Sequence, residues 1–573
     1  METTAPSPAP TPPNQEAAPA RRAAVVCRHD VLALAALGLV VGLACRGHFA
    51  MPHADFPSFV DAGSALLRGE LPPTLTRAPV YPVLIAALGR LLPVEAAGLV
   101  VAEWLNALLL PLNAVLIYLI GRTWFGSAAR WAAVWFLLLP MGLYCTAHVI
   151  LEPLLITLVL LTLLVAPRGG AWPYVIAAVA IMTRYDVAGL IVGLGVADLL
   201  RRRPWQRVML SCVLAAAPLL IWLGLTAVTW TPGWKDHYLT QMAARPAFDP
   251  GWALAIVART CFEFATLRLP DWLASMENPA RFALLVVPVL AAVCGAVVRI
   301  RARDRVAVTA MFALAGYLIV HALYAYRMDR YGYPMAPLLI LFASAGLSIV
   351  VVRLKRRGLP PRVGQWLLIV LGIALASALL TEAQAFATAA GGAERLLGRV
   401  GLPALVALSA VWAAPLLLRR QRVGQVVLLI ALALLLTLRI QTGAALLGTG
   451  QDMKNVVEAA RWIRDHTPTS ARVLCDNPGL LRLYAGCEPR DRFVSYEDVG
   501  GQTWPDVLVE CRRIGIVYII WHDRLSEMHA AYYAGRLGLA RFDALADAEH
   551  AAGVRPERRF PNYPNLVIVR VLE

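Results

Sequence analysis

The sequence predicts a polytopic α-helical membrane protein of about 13 transmembrane helices, ending in a small extracytoplasmic α/β domain. Three observations carry this. Of 573 residues, 59% are hydrophobic and 16% charged, with mean hydropathy +0.62; a soluble domain lies near about 45–50% apolar and about 25% charged. Apolar runs of about 20 residues, enough to cross a bilayer core, recur as far as residue 445. Arginines cluster in the short segments between those runs, at Arg201–Arg207, Arg299–Arg305, Arg353–Gly358 and Arg419–Arg422. That is the asymmetry of cytoplasmic loops.

The elements follow in order. Residues 1–28 are rich in Pro and Ala and predict a disordered cytoplasmic N-terminus. The first apolar run lacks a small-x-small cleavage site, so it reads as an uncleaved span. Spans are expected at 29–48, 97–120, 129–147, 150–166, 171–183, 186–200, 207–230, 281–298, 306–325, 333–352, 364–386, 401–418 and 423–445, with the pair 171–183 and 186–200 short enough to form one bent element. With the N-terminus inside, every arginine cluster falls on the cytoplasmic side. Segments 49–96 and 231–280, the "AHVILEP" and "TRYD" turns and "YRMDRYGYP" fall outside. Within 49–96, "YPVLIAALGRLLP" is too short to span and predicts an interfacial helix. Segment 231–280, with Trp234, Trp252 and Trp272, predicts a second interfacial element.

The tail, 451–573, predicts an α/β module. "MKNVVEAARWIRDH" has helical spacing, and "ARVLCD", "IGIVYIIWHD" and "NLVIVRVL" read as strands. Its 16 Lys and Arg balance 17 Asp and Glu, so the net charge of +16 resides in the membrane loops. That distribution implies a bilayer partner and no nucleic acid. The nine cysteines show no metal-like spacing. Cys475 and Cys487 are open to two readings, a disulfide or free thiols.

Ionisable residues converge on the outer face. Asp55 lies where the first span ends; it suits either a helix cap or a general base for a hydroxyl. Asp61 is the competing carboxylate, and His53 is nearby. Glu152 opens a span, where a carboxylate must be capped, paired or functional, with His148 as a candidate partner. Arg184 and Asp186 either pair with each other or help build a polar site at interrupted helices. Arg327 and Arg330 form either a charged loop or a phosphate clamp, since a guanidinium meets phosphate with two parallel hydrogen bonds.

Taken in order, Asp55, "RAPVYPVLIAAL", "EPLLITLVLLTLL", "RYDVAGLI" and "RYGYPMAPLL" resemble the membrane-embedded GT-C glycosyltransferases. The family 39 protein mannosyltransferases and the lipid A aminoarabinose transferases are the most similar. Such proteins often carry an adjacent Asp-Glu pair in the first loop and a "PPxYP" segment; here Asp55-Phe56 and "APVYP" stand instead. The resemblance implies a hexosyl- or pentosyltransferase of the bacterial inner membrane. It implies a polyprenyl-phosphate sugar donor and a lipid, glycan or protein acceptor. Asp55 would be the base, and Arg330 with Arg184 or Arg327 would hold the phosphate. Glu152, Asp61, His53, His148 and Asp186 would be further substrate or metal positions. No cofactor is implied beyond a divalent cation, which stays open. A transporter or lipid flippase is the rival reading, and a scaffold with a partner-binding tail is a third.

Overall fold

The structure is a computed structural model; it describes residues 27–229, 251–260, 279–323, 329–356, 454–522, 553–560 and 566–572, apart from short internal gaps. The three expected spans between 364 and 445, most of segment 231–280, Arg327 and Cys487 lie outside the described residues.

The membrane part runs α1 (Cys27–Cys45), α2 (Phe56–Leu67), α3 (Val80–Gly89), α4 (Ala97–Phe125), α5 (Ala129–Leu137), α6 (Pro140–Ala147), α7 (Glu152–Val165), α8 (Trp172–Ile181), α9 (Gly189–Leu200), α10 (Trp205–Val228), α11 (Pro279–Arg301), α12 (Arg305–Leu323) and α13 (Ala336–Arg356). Among the described residues, five helical stretches are long and apolar enough to cross a membrane. A sixth arises if α6 and α7, which meet at 117°, count as one broken span. The expected span at 129–147 is divided in two, because Pro140 cannot continue the hydrogen-bond ladder and instead starts a new helix. The segment expected to form a short helix within 49–96 is α3. Helix α10 turns Leu210, Val213, Leu214 and Ile221 outward, as suits a helix facing lipid.

Residues 454–572 contribute α14 (Lys454–His466), β1 (Arg472–Cys475), α15 (Pro478–Ala485), β2 (Phe493–Ser495), α16 (Trp504–Arg513), β3 (Ile516–His522), β4 (Val554–Phe560) and β5 (Leu566–Val571). The sheet order is β2-β1-β3-β5-β4, with β1 parallel to both neighbours and β5 antiparallel to β3 and β4. The three expected strands are β1, β3 and β5. Strand β4 is an edge whose pairing slips between Pro556 and Arg558, since proline has no N–H for the ladder. Cys475 is a buried free thiol, 3.7 Å from the Val494 carbonyl.

Two features of this fold position the site. Helices α2 and α3 touch backbone to backbone: a Cβ on Gly63 would lie 2.1 Å from the Pro82 carbonyl oxygen, so only glycine permits this approach. The apolar core beneath the tail is also continuous with these helices. Phe56, Phe59, Tyr81 and Ile85 share one cluster with Val456, Val473, Leu480 and Leu481.

Candidate active site

Asp55 stands at the N-cap of α2 but makes no side-chain cap. Its carboxylate turns instead toward two guanidinium groups. Arg77 Nη2 donates to Oδ1 at 2.8 Å, and Arg330 Nη2 donates to Oδ2 at 2.6 Å. The first turn of α2 is fixed around it. Pro57 fits a first turn, where its absent N–H would have no partner anyway. Ser58 Oγ donates to the Asp55 carbonyl at 2.6 Å and accepts from Arg77 Nε at 2.9 Å.

His53 lies across this pair. Its Nδ1 accepts the Asp55 backbone N–H at 3.1 Å, and its ring nitrogens sit 3.1 and 3.2 Å from Arg330 Nη1. Burial, with the Arg330 charge, pushes the imidazole down to about 4, so the ring is neutral at neutral pH. For Asp55, burial pulls the carboxyl up, but Arg77 and Arg330 outweigh it and hold the group well below the usual carboxylate range.

Glu152, the first residue of α7, is 2% exposed. Its Oε1 accepts from Arg184 Nη1 at 3.1 Å and lies 4.0 Å from Arg330 Nε. Its Oε2 has no hydrogen-bond partner among the described residues. Arg184 also reaches Asp186 at 2.7 Å, and Asp186 meets His321 Nε2 at 3.2 Å. The chain of charges therefore runs Arg77, Asp55, Arg330, Glu152, Arg184, Asp186. Tyr331 stacks between the guanidinium groups of Arg184 and Arg330, at 5.0 and 5.7 Å. Tyr317 donates to the Tyr331 carbonyl at 2.7 Å and so anchors the 3-10 turn Asp329–Met335 that carries Arg330.

The break between α6 and α7 is what brings Glu152 into this line. Val149 adopts φ 59°, a left-handed conformation that a β-branched residue takes only under constraint. Two fully buried asparagines of α4, seven residues apart on one face, supply that constraint. Asn106 Nδ2 donates to the Ile150 carbonyl at 2.9 Å and Asn113 Nδ2 to the Pro153 carbonyl at 3.0 Å, while Thr157 Oγ1 donates to Asn113 Oδ1 at 2.7 Å.

Of the residues singled out in the sequence, the fold gathers Asp55, Arg330, Glu152, Arg184, Asp186 and His53. His148 stacks on Phe49 at 3.6 Å and offers its carbonyl to the His53 N–H, so it supports the loop from behind. Asp61 faces away from the network and pairs with Arg482 at 3.1 Å. Sequence reasoning noted Arg77 only within a motif, and missed His321, Asn106 and Asn113. His321 and the asparagines did leave a signal, as polar side chains inside apolar runs. Among the described residues, no three His, Cys, Asp or Glu side chains group as a metal site.

No protein-family model matches the chain, nor does any curated protein sequence. Solved structures do. The fold is similar to that of ArnT from Cupriavidus metallidurans, described both bound to undecaprenyl phosphate and in the apo state. The two align with TM-score 0.56 at 16% and 17% identity, over 94% of this chain and 97% of theirs. A more distant likeness, at TM-score 0.47 and 12% identity, is to the archaeal oligosaccharyltransferase AglB from Archaeoglobus fulgidus, over 89% of this chain and 72% of that one. The overall architecture is thus like that of the ArnT structures.

Proposed function

We propose that this chain is an inverting glycosyltransferase, moving a sugar from a polyprenyl-phosphate donor to a hydroxyl of a lipid, glycan or protein. The reaction would take place at the outer face of a bacterial inner membrane. One observation carries the reading: a carboxylate gripped by two guanidinium groups, at a partly solvent-reached point of an ArnT-like fold. ArnT is described with undecaprenyl phosphate bound. A phosphate with a prenyl tail is the matching ligand class for Arg330 and Arg77.

The chemistry follows from these groups. The acceptor oxygen attacks the anomeric carbon. Its proton passes to Asp55, while the carbon–oxygen bond to phosphate breaks and the electron pair leaves with polyprenyl phosphate. Guanidinium groups aimed at the departing anion lower the barrier. The resting pairing adds a condition. A carboxylate held by two cations is a poor base, so Asp55 gains basicity only once Arg330 or Arg77 turns toward the donor phosphate. The network contains three carboxylates, Asp55, Glu152 and Asp186, against three guanidinium groups, Arg77, Arg184 and Arg330. An arriving phosphate must therefore compete with a carboxylate for its arginine. The unpartnered Oε2 of Glu152 suits a hydroxyl or ammonium donor on the sugar or acceptor.

The orientation belongs to the same reading. Arg203 and Arg305 lie at the end of the bundle opposite Asp55, beside Ala166 and Asp198, which agrees with arginine-rich cytoplasmic loops. Reporter fusions at Ala23 and Gly450 should read cytoplasmic and extracytoplasmic; a cytoplasmic Gly450 would place the acids in the wrong compartment. The direct test is incubation of purified protein with radiolabelled polyprenyl-phosphate sugars. Label should pass to a hydroxyl acceptor. If no donor yields product while lipid crosses between leaflets of proteoliposomes, the chain is a flippase instead.

A further inference from the structure

The C-terminal α/β unit meets the helix that follows Asp55 through α15. Strand β1 is parallel to both of its neighbours, and the chain leaves its carboxyl end through Asp476 and Asn477 into α15. In α/β sheets this edge is where functional contacts gather. Here it faces the bundle. Asn477 Oδ1 accepts the Leu480 N–H at 3.1 Å and fixes the first turn of α15. A Cβ on Gly479 would lie 2.7 Å from Pro57 Cβ. Pro57 is two residues from Asp55, in the first turn of the same helix. One helical turn further along α2, Asp61 receives Arg482 Nη2 at 3.1 Å. Residues 479 and 482 are three apart on α15, and residues 57 and 61 are four apart on α2. Each pair therefore lies on one face, and the two helices meet along a matched line. The shared core of Phe56 and Phe59 with Leu480 and Leu481 fills the space beneath.

We infer that the C-terminal unit is a positioning element for Asp55, with Gly479 and Arg482 as its positioning residues. Neither touches a reacting atom. Gly479 sets how closely α15 approaches the turn carrying Asp55, and Arg482 sets the register of α2 along α15. The Asp55 carboxylate is thereby held at its distances from Arg77 and Arg330. This rests on the glycosyl-transfer reading only for its activity readout. The positioning itself is testable without any substrate.

The test uses the full-length protein in detergent with four variants: Gly479→Val, Arg482→Glu, Asp61→Arg and the double variant Asp61→Arg/Arg482→Glu. Hydrogen exchange of the peptide covering α2 is the first readout. Arg482→Glu and Asp61→Arg should each speed exchange there by about three- to tenfold, while β1 and β3 keep their protection. The double variant should restore the wild-type rate. Turnover of undecaprenyl-phosphate-linked sugars is the second readout. Gly479→Val should lower kcat by about tenfold or more with donor KM little changed, because a small misplacement of a reacting group costs rate rather than binding. The swapped pair should recover most of the kcat lost by either single variant. Unchanged exchange of α2 in Arg482→Glu and Asp61→Arg would overturn the inference whatever the activity. So would faster exchange spread equally over β1 and β3, which would mark a general loss of structure. If exchange behaves as expected but the wild type transfers no sugar from any polyprenyl-phosphate donor, the positioning stands and the assigned reaction fails.

Discussion

The two ends of the bundle each bury an arginine–carboxylate pair, and they do so differently. At the end lined by arginine-rich loops, Arg305 of α12 reaches Asp198 of α9 at 2.7 Å, and Tyr174 donates to the same carboxylate at 3.0 Å. Arg305 also donates to the Ala166 carbonyl. Arg305 and Asp198 have almost no exposed surface, and the more exposed Arg203 approaches the same carboxylate less closely, at 3.5 Å. At the other end Asp55 and Arg77 keep about a quarter of their side-chain surface in contact with solvent. There Arg330 is shared between Asp55 and Glu152, and one oxygen of Glu152 has no described partner. A tight pair whose two members are both out of reach of solvent locks helices together. A chain of shared pairs with an opening can exchange a partner for a ligand. Burial of charge alone does not distinguish structure from function; solvent access to the paired carboxylate does.

That difference is broken most directly by one isosteric change at each end. Asp55→Asn should lower turnover by about 10²–10⁴-fold, the usual contribution of a positioned base, with thermal stability and donor binding retained. Asp198→Asn should do the reverse, since it leaves Arg305 as a buried charge without its counterion. We expect it to cost about 3 kcal/mol of stability while turnover per folded molecule persists. Thermal unfolding in detergent, alongside turnover normalised to folded protein, checks both. Loss of turnover without loss of stability in Asp198→Asn would erase the contrast between the ends.

The next effect in size concerns the shared guanidinium. Arg330→Ala should raise donor KM by about tenfold or more, because charge-assisted hydrogen bonds to phosphate are among the strong ones. Arg330→Lys should recover only part, since an ammonium keeps the charge but loses the planar fork. Wild-type donor kinetics in both variants would move the phosphate clamp elsewhere.

A smaller effect sharpens the electrostatic side of the comparison. The carboxyl of Asp55 sits below the ordinary carboxylate range because two cations outweigh its burial, so the acid limb of kcat/KM lies at low pH in the wild type. Arg77→Gln removes one cation and leaves the burial. The carboxyl should then bind its proton at higher pH, and the acid limb should move up. His53, neutral down to about 4, contributes no titration between pH 5 and 8. A limb that stays in place would mean that Arg77 does not set the charge state of the group that titrates.

Legibility in the sequence followed the cost of each feature. Several long apolar helices were readable because a bilayer demands long apolar runs, and α1, α4, α10 and α12, each long and apolar enough to cross a membrane, lie close to the expected positions. The division at Pro140 was not, because the apolar composition continues through it. Strand β2 is three residues long and β4 carries four charges, so neither shows the pattern of a buried strand. In the site, Asp55, Glu152, Arg184, Asp186 and Arg330 stood out because a charge at the edge of hydrocarbon must be compensated. Asn106 and Asn113 did not, since an uncharged amide interrupts an apolar run only weakly, although their seven-residue spacing places them on one helix face. The partner of Asp61 lies 421 residues away, and no local pattern reports such a contact.

The smallest expected effect comes from that same aspartate. Asp61 and Arg482 are each partly exposed, at 32% and 20% of their side-chain surface, and an ion pair of that kind contributes little once solvent screens it. Asn at position 61 removes the charge but keeps a carbonyl oxygen that can accept from Arg482. Asp61→Asn should therefore change turnover by no more than about two- to threefold, far less than Asp55→Asn on the same helix. Parallel measurement of the two variants compares a carboxylate six positions along α2 with the one at its mouth. Should Asp61→Asn be inactive and Asp55→Asn active, sugar transfer could still be the reaction, but the base would be Asp61, and its pairing with Arg482 would have to open during turnover.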